Sequence, residues 1–218
     1  MGTLRLLVLL SVILLPLVTN AQKRKTMYKG FEVSFGTRSF SMASNIAQLN
    51  DLAVTEEGGS AGVIWGNRLV RTKLNAGFYY SGASVGQTVD MFQGKTGVNF
   101  YPLAIGNQRT RKFETYLTGG VAYDRYKFAG SYLERDPGKR NYSKPNDSYI
   151  GSVNQISLNG GLGFEYQFNK SYDFVHIFTE AMYGVPVSSK TNHSSFSTTT
   201  AAEQLMVSVG VRFGAFHK

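Results

Sequence analysis

The sequence predicts an all-β chain: an eight-stranded antiparallel up-and-down transmembrane β-barrel preceded by a signal peptide. Three observations lead there. Apolar and polar residues alternate with period 2 through eight segments after residue 30, as in strands with one apolar face. Charged residues are only 17%, while Gly (24), Tyr (13) and Phe (15) are abundant. Such a composition suits neither a helical bundle nor a disordered chain. Connections between the segments alternate long and short, as outside loops and periplasmic turns do.

The first 21 residues stand apart. Arg5 precedes an apolar run from Leu6 to Val18, and Thr19-Asn20-Ala21 puts small residues before Gln22. This is the pattern of a secretory signal peptide cut after Ala21. Thirteen residues reach about 20 Å as a helix, short of a ~30 Å hydrocarbon core, and Pro16 interrupts them. Residues 22–28 form a basic N-terminal arm carrying Lys23-Arg24-Lys25. Residues 29–218 form the barrel domain. Removing Arg5 with the leader takes the net charge from +9 to +8. In an exported chain that charge points to anionic lipid rather than nucleic acid.

The strands follow in order. Strand one sets Phe31, Val33 and Phe35 against Glu32, Ser34, Gly36 and Arg38. Strand two is short, with Ala61, Val63 and Trp65 on one face. Strand three sets Val70, Thr72, Leu74, Ala76, Phe78 and Tyr80 against Arg71, Lys73, Asn75, Gly77 and Tyr79. Strand four sets Phe92, Thr96, Val98 and Phe100 against Gln93, Lys95, Gly97, Asn99 and Tyr101. Strand five sets Phe113, Leu117, Val121 and Tyr123 against Glu114, Tyr116, Gly120 and Asp124. Strand six is the clearest: Ile156, Leu158, Leu162, Phe164, Tyr166 and Phe168 oppose Ser157, Asn159, Gly161, Gly163, Glu165 and Gln167. Strand seven sets Val175, Ile177, Tyr183 and Val185 against His176, Phe178, Glu180 and Met182. Strand eight sets Leu205, Val207, Val209, Val211 and Phe213 against Met206, Ser208, Gly210 and Arg212. The connections at 42–58, 81–88, 128–154 and 188–202 read as mostly long polar loops; those near 66–68, 103–111 and 169–173 read as turns. An even strand number places both termini on the periplasmic side.

A soluble ligand-binding barrel shares this alternation with its apolar face inward; a membrane barrel inverts it. Three features favour the inverted form. Aromatics on the apolar face gather at strand ends: Trp65, Phe100, Phe113, Phe168 and Phe213 on the turn side, Phe78, Tyr80, Tyr123 and Tyr183 on the loop side. The polar face is rich in mid-strand glycine, which weakens an exposed sheet but makes room in a narrow lumen. Its charges also balance. Glu32, Glu114, Asp124, Glu165 and Glu180 are matched by Arg38, Arg71, Lys73, Lys95 and Arg212, as a low-dielectric lumen requires. These ten residues are the candidate lumen charge network. An eight-stranded barrel is just wide enough for its side chains to fill it, which argues against a wide porin channel. Re-pairing an arginine between carboxylates would make such a network bistable; plain satisfaction of buried charge is the alternative.

Gly97-Val98-Asn99-Phe100-Tyr101-Pro102 and the ending Val207 to Phe216 (VSVGVRFGAF) resemble inner and closing strands of the small outer-membrane barrels, the OmpA-barrel and OmpX-like group of Gram-negative bacteria. The resemblance covers roughly residues 29–216. It implies an outer-membrane location, contact with outer-membrane lipid and lipopolysaccharide, and recognition of the closing strand by the barrel-assembly machinery. That signal normally finishes on an aromatic; here His217 and Lys218 follow Phe216.

Catalytic chemistry is sparse. With no Cys there is no thiolate nucleophile, disulfide or Cys-ligated metal, and no cofactor or metal site is expected. His193, with Ser195 and Glu203, is the one group that imitates a Ser-His-acid set. It sits in a Ser/Thr-rich stretch that reads as a solvated loop. Gly160-Gly161-Leu162-Gly163 lies inside a strand and is no nucleotide site. Loop 128–154 carries Glu134, Arg135, Asp136, Lys139, Arg140, Lys144 and Asp147 with Tyr132, Tyr142 and Tyr149. It and loop 42–58 are candidate contact elements. The expectation is a non-enzymatic structural or surface-interaction barrel. An accessory subunit of an outer-membrane secretion or transport assembly, with a protein partner, is the alternative. A lipid-A-modifying enzyme using His193 ranks below both.

Overall fold

The computed structural model describes residues 27–43, 53–81, 87–105, 112–130, 149–169, 172–191 and 200–217. It holds eight strands: β1 (Met27–Ala43), β2 (Ala53–Gly66), β3 (Val70–Ser81), β4 (Gln87–Phe100), β5 (Phe113–Gly130), β6 (Tyr149–Asn169), β7 (Tyr172–Thr191) and β8 (Thr200–His217). Each pairs antiparallel with the next, and β8 returns to β1 to close the barrel. The leader 1–21, the basic run 23–25, His193, Ser195, Tyr132, Tyr142 and the seven charged residues singled out in loop 128–154 lie outside the described residues; of the side chains of Tyr149 and Glu203 nothing is described. β1 begins at Met27, so the last two residues assigned to the arm belong to the barrel.

The strands are longer than the alternation suggested. β2 starts at Ala53 instead of near Ala61, and β6 at Tyr149 instead of near Ile156. The expected loops shrink to 44–52, 82–86, 131–148 and 192–199. The cause is a change in the sign of the pattern along most of the strands, β3 and the described part of β8 excepted. Near the turns and through the middle, apolar side chains face out (Phe31, Val33, Phe35, Val63, Leu74, Val121, Leu158, Val209) and polar ones face in. Towards the loops the same strands put Ser39, Thr55, Glu57, Asp90, Arg125, Lys127 and Lys190 outward, and bury Phe40, Val54, Val89, Met91, Tyr126 and Val153. The lower part is thus built for a lipid surround and the upper part for water. A reader following one apolar face loses the strand where the face changes sides.

Aromatics mark both edges of the outward apolar belt. Trp65, Phe113, Phe168 and Phe213 are exposed at the turn end, and Phe78, Tyr80, Tyr123 and Tyr183 at the edge nearest the loops. Phe78 is the most open of these, at 69%. A belt whose large hydrophobic side chains stay open on every strand has no counterpart in a water-soluble barrel.

The turn end is tightly made, and both described chain ends lie there. Gly66 takes φ +151, where a Cβ would meet the Val70 carbonyl oxygen at 2.2 Å. Asn67 follows and accepts the backbone N–H groups of Leu69 and Val70 on its Oδ1, both at 2.8 Å. Between β4 and β5, Pro102–Ala104 forms a 3-10 turn. On β7 the register against β6 shifts between Ile156 and Ser157, beside Pro186. A strand proline is tolerated at such a bulge because no ladder donor is lost.

Candidate functional site

Among the described residues, the lumen holds the densest polar chemistry. Lumen positions recur every second residue on all eight strands, so residues far apart in sequence converge on the axis. Of the ten charged residues expected to face inward, nine are buried, and Glu114 is part-buried with its side chain 19% exposed. They divide into two groups.

The larger group sits toward the turn end and centres on Glu165 of β6. Arg71 (β3) donates to Glu165 Oε1 at 2.9 Å and reaches Glu114 Oε2 at 3.4 Å. Arg212 (β8) also donates to Glu165, and its Nε donates to Glu32 Oε2 at 2.8 Å. His176 Nδ1 lies 2.8 Å from Glu165 Oε1, and the Tyr101 hydroxyl donates to Oε2 at 2.8 Å. The Arg71 guanidinium is sandwiched between the rings of Tyr28 and Tyr101, at 4.2 and 4.1 Å. Further along the axis, Glu180 accepts from Lys73 at 2.5 Å and from the Tyr116 hydroxyl at 2.9 Å. Lys95 Nζ is 4.0 Å from Glu180 and donates to Met182 Sδ at 2.6 Å. Asn75 donates to the other oxygen of Glu32 at 2.6 Å.

The second group lies toward the loops. Arg38 (β1) donates to both carboxylate oxygens of Asp124 (β5), at 2.9 and 3.3 Å, and to the Tyr126 hydroxyl at 2.8 Å. It also bonds Gln204. Gln93 and Ser157 complete the shell of Asp124 at 2.9 and 3.1 Å. Beyond it an apolar cluster, including Phe40, Val54, Val89, Met91 and Val153, fills the upper barrel.

These are buried ion pairs with further hydrogen bonds on each carboxylate. Burying a charge is costly unless its lone pairs and protons are satisfied. Glu165 meets that condition with two arginines, a histidine and a tyrosine. Glu56 does not: it is 0% exposed, stands opposite Arg38 in the β1–β2 register, and neither of its oxygens has a hydrogen-bond partner.

Sequence reading did not count Glu56, Tyr126, Gln204 or Tyr28 in the lumen. Glu56 lay inside a stretch read as loop, and Tyr126 beyond the end assigned to strand five. The available signal was parity, since each sits an even number of residues from a lumen position on its own strand. His176, Phe178, Met182 and Met206 were on the expected lumen face, yet their contacts were not legible.

Among the described residues, side chains fill the lumen. A cavity bounded by Glu32, Ser60, Asn75, Lys95, Phe178 and Glu180 measures about 10 Å³, room for about one water. Among the described residues no group of three or more His, Cys, Asp or Glu is placed to hold a metal ion. Chemically the arrangement is a braced plug.

No family model matches the chain, and no curated protein matches it. Solved structures do. The chain is similar to Neisserial surface protein A at 10% identity and TM-score 0.55, covering 84% of this chain and 96% of that one. It is similar to a major outer membrane protein from Thermus thermophilus at 14% identity and TM-score 0.53, covering 86% and 99%. At these identities the likeness is one of fold. The fold is that of the small outer-membrane eight-stranded barrels.

Proposed function

We propose that this chain is a non-enzymatic barrel of the bacterial outer membrane with a structural or surface-interaction role. Its loops face outward and its termini face the periplasm. The reversal of polarity along β1, β2 and β4 to β7 carries the reading. A closed sheet with charge inside and an apolar belt outside is stable only where lipid surrounds it. Above the belt the same sheet is built for water, which fits a stalk lifting the loops clear of the bilayer. The filled lumen supports a role at the surface over one in solute passage. Outer-membrane lipid and lipopolysaccharide are the surrounding partners, and β8 is the segment the barrel-assembly machinery would read.

Gel mobility of detergent-folded protein, with and without boiling, tests the reading. A compact band that shifts on boiling, with β-rich circular dichroism, is expected. A protein that stays monomeric and soluble without detergent would overturn it. Protease added outside intact cells should cut within 131–148 and spare both termini. A protein that co-purifies in mild detergent would move the chain to the accessory-subunit alternative.

A further inference from the structure

The outer wall above the belt is electrically divided. Among the described residues, its exposed acids are Glu57 on β2 and Asp90 on β4, while its exposed cations are Arg125 and Lys127 on β5 and Lys190 on β7. The cations are grouped by register. Arg125 pairs with Asn154 of β6, and Asn154 pairs with Lys190. The three stand in one row across adjacent strands, so the outer two Cα atoms are about 10 Å apart. Lys127 is the next outward position on β5, opposite Asp90. Arg125 has Phe92 as its other neighbour and faces no acid in register.

The surroundings specify what would bind there. Immediately below the row, Tyr123, Ile156 and Val187 expose 43–61% of their surface as the upper edge of the apolar belt. The Tyr123 hydroxyl donates to Asn154 Oδ1 at 2.9 Å, which fixes the amide with its NH₂ as the remaining donor. A guanidinium, ammoniums and an amide donor are the set that grips a phosphate. Their seat on an aliphatic and aromatic wall requires acyl chains beneath that phosphate.

We propose that Arg125, Lys127, Asn154 and Lys190 form a binding site for the phosphate of an outer-leaflet glycolipid of the lipid A class, whose acyl chains lie along β5–β7. This rests on the membrane-barrel reading and deepens it by giving the lipid partner a place on the wall.

Native mass spectrometry of the full mature chain folded in detergent tests it, titrating bis-phosphorylated lipid A. The double variant Arg125→Gln/Lys190→Gln should bind about tenfold more weakly, the loss of charge-assisted bonds. Arg125→Lys should lose less. Lys29→Gln/Lys112→Gln removes equal charge from exposed positions at the turn end and should bind as the parent does. Dephosphorylated lipid A should bind the parent as weakly as phosphorylated lipid A binds the double variant. Equal losses in both double variants would mean unspecific charge attraction and overturn the site. Equal binding of the dephosphorylated lipid would overturn it too, assigning the affinity to acyl chains. Competition by millimolar inorganic phosphate would make it a free-anion site. Heat-modifiable mobility is read on every variant. Its absence in the parent would sink the membrane-barrel reading itself, and its presence beside unchanged lipid binding would sink only this site.

Discussion

Arg212 and Glu32 face each other across the seam where the last strand meets the first. They are register partners, and the arginine Nε donates to the carboxylate at 2.8 Å. The chain's two ends are thus joined by a buried charge pair as well as by the ladder. Arg212 also serves Glu165, so the two partners are unequal. Arg212 Nη2 also lies 3.7 Å from Glu180, so Arg212→Gln strips a cation from three buried acids, and a cost of about 3–5 kcal/mol is expected, the range for breaking a buried pair. Glu32→Gln should cost less. Urea titration of the barrel in lipid vesicles, run as a double-mutant cycle, reads both values and their coupling.

Two glycines on β6, three residues apart, should respond oppositely to the same change. A Cβ at Gly163 would lie 2.2 Å from Cζ of Tyr116, whereas one at Gly160 meets nothing within 4 Å. Gly163→Ala pushes the Tyr116 ring aside and breaks its bond to Glu180. Gly160→Ala adds a methyl to the lipid face. In the same urea titration the first should destabilise by about 1–3 kcal/mol, and the second should fold as the parent does.

Asp124 and Glu56 make a second contrast. Asp124 accepts from Arg38, Gln93 and Ser157; Glu56 accepts from nothing described. Asp124→Asn removes the countercharge of a buried arginine and should cost about 3–5 kcal/mol. Glu56→Gln replaces a buried carboxyl that has no hydrogen bond to lose, so its stability should equal or exceed the parent's. A Glu56→Gln loss as large as that of Asp124→Asn would show that Glu56, too, is paired.

The edge of the lipid belt can be located with arginine. Val209 faces outward in the middle of β8, and Thr55 faces outward above the belt on β2. Val209→Arg should cost about 2–4 kcal/mol, and Thr55→Arg about 0–1 kcal/mol. Equal costs on refolding into vesicles would mean that the belt reaches Thr55.

Strand count, antiparallel order and the side each mid-strand residue faces were legible because a period-2 pattern fixes all three at once. Leu158 and Asn159 needed nothing beyond their neighbours. Strand ends were not legible, because Thr55 and Glu56 carry the pattern with its sign reversed and look like loop. Partners inside the lumen were also hidden. Parity says that Arg38 points inward; it does not say that Arg38 reaches Asp124, 86 residues away, and leaves Glu56 alone. That choice depends on the shear of the closed sheet and on which tyrosines take up the remaining space.

The filled interior bears on how many copies a cell can carry. An open pore burdens its host, since each one is a leak through which antibiotics, bile salts and ions enter. In the surface role proposed above, a cylinder stoppered by Arg71, Glu165 and Arg212 at one end and by Phe40, Val89 and Met91 at the other would add surface display without weakening the permeability barrier. In that role its abundance would be set by how much of its loops the surface needs.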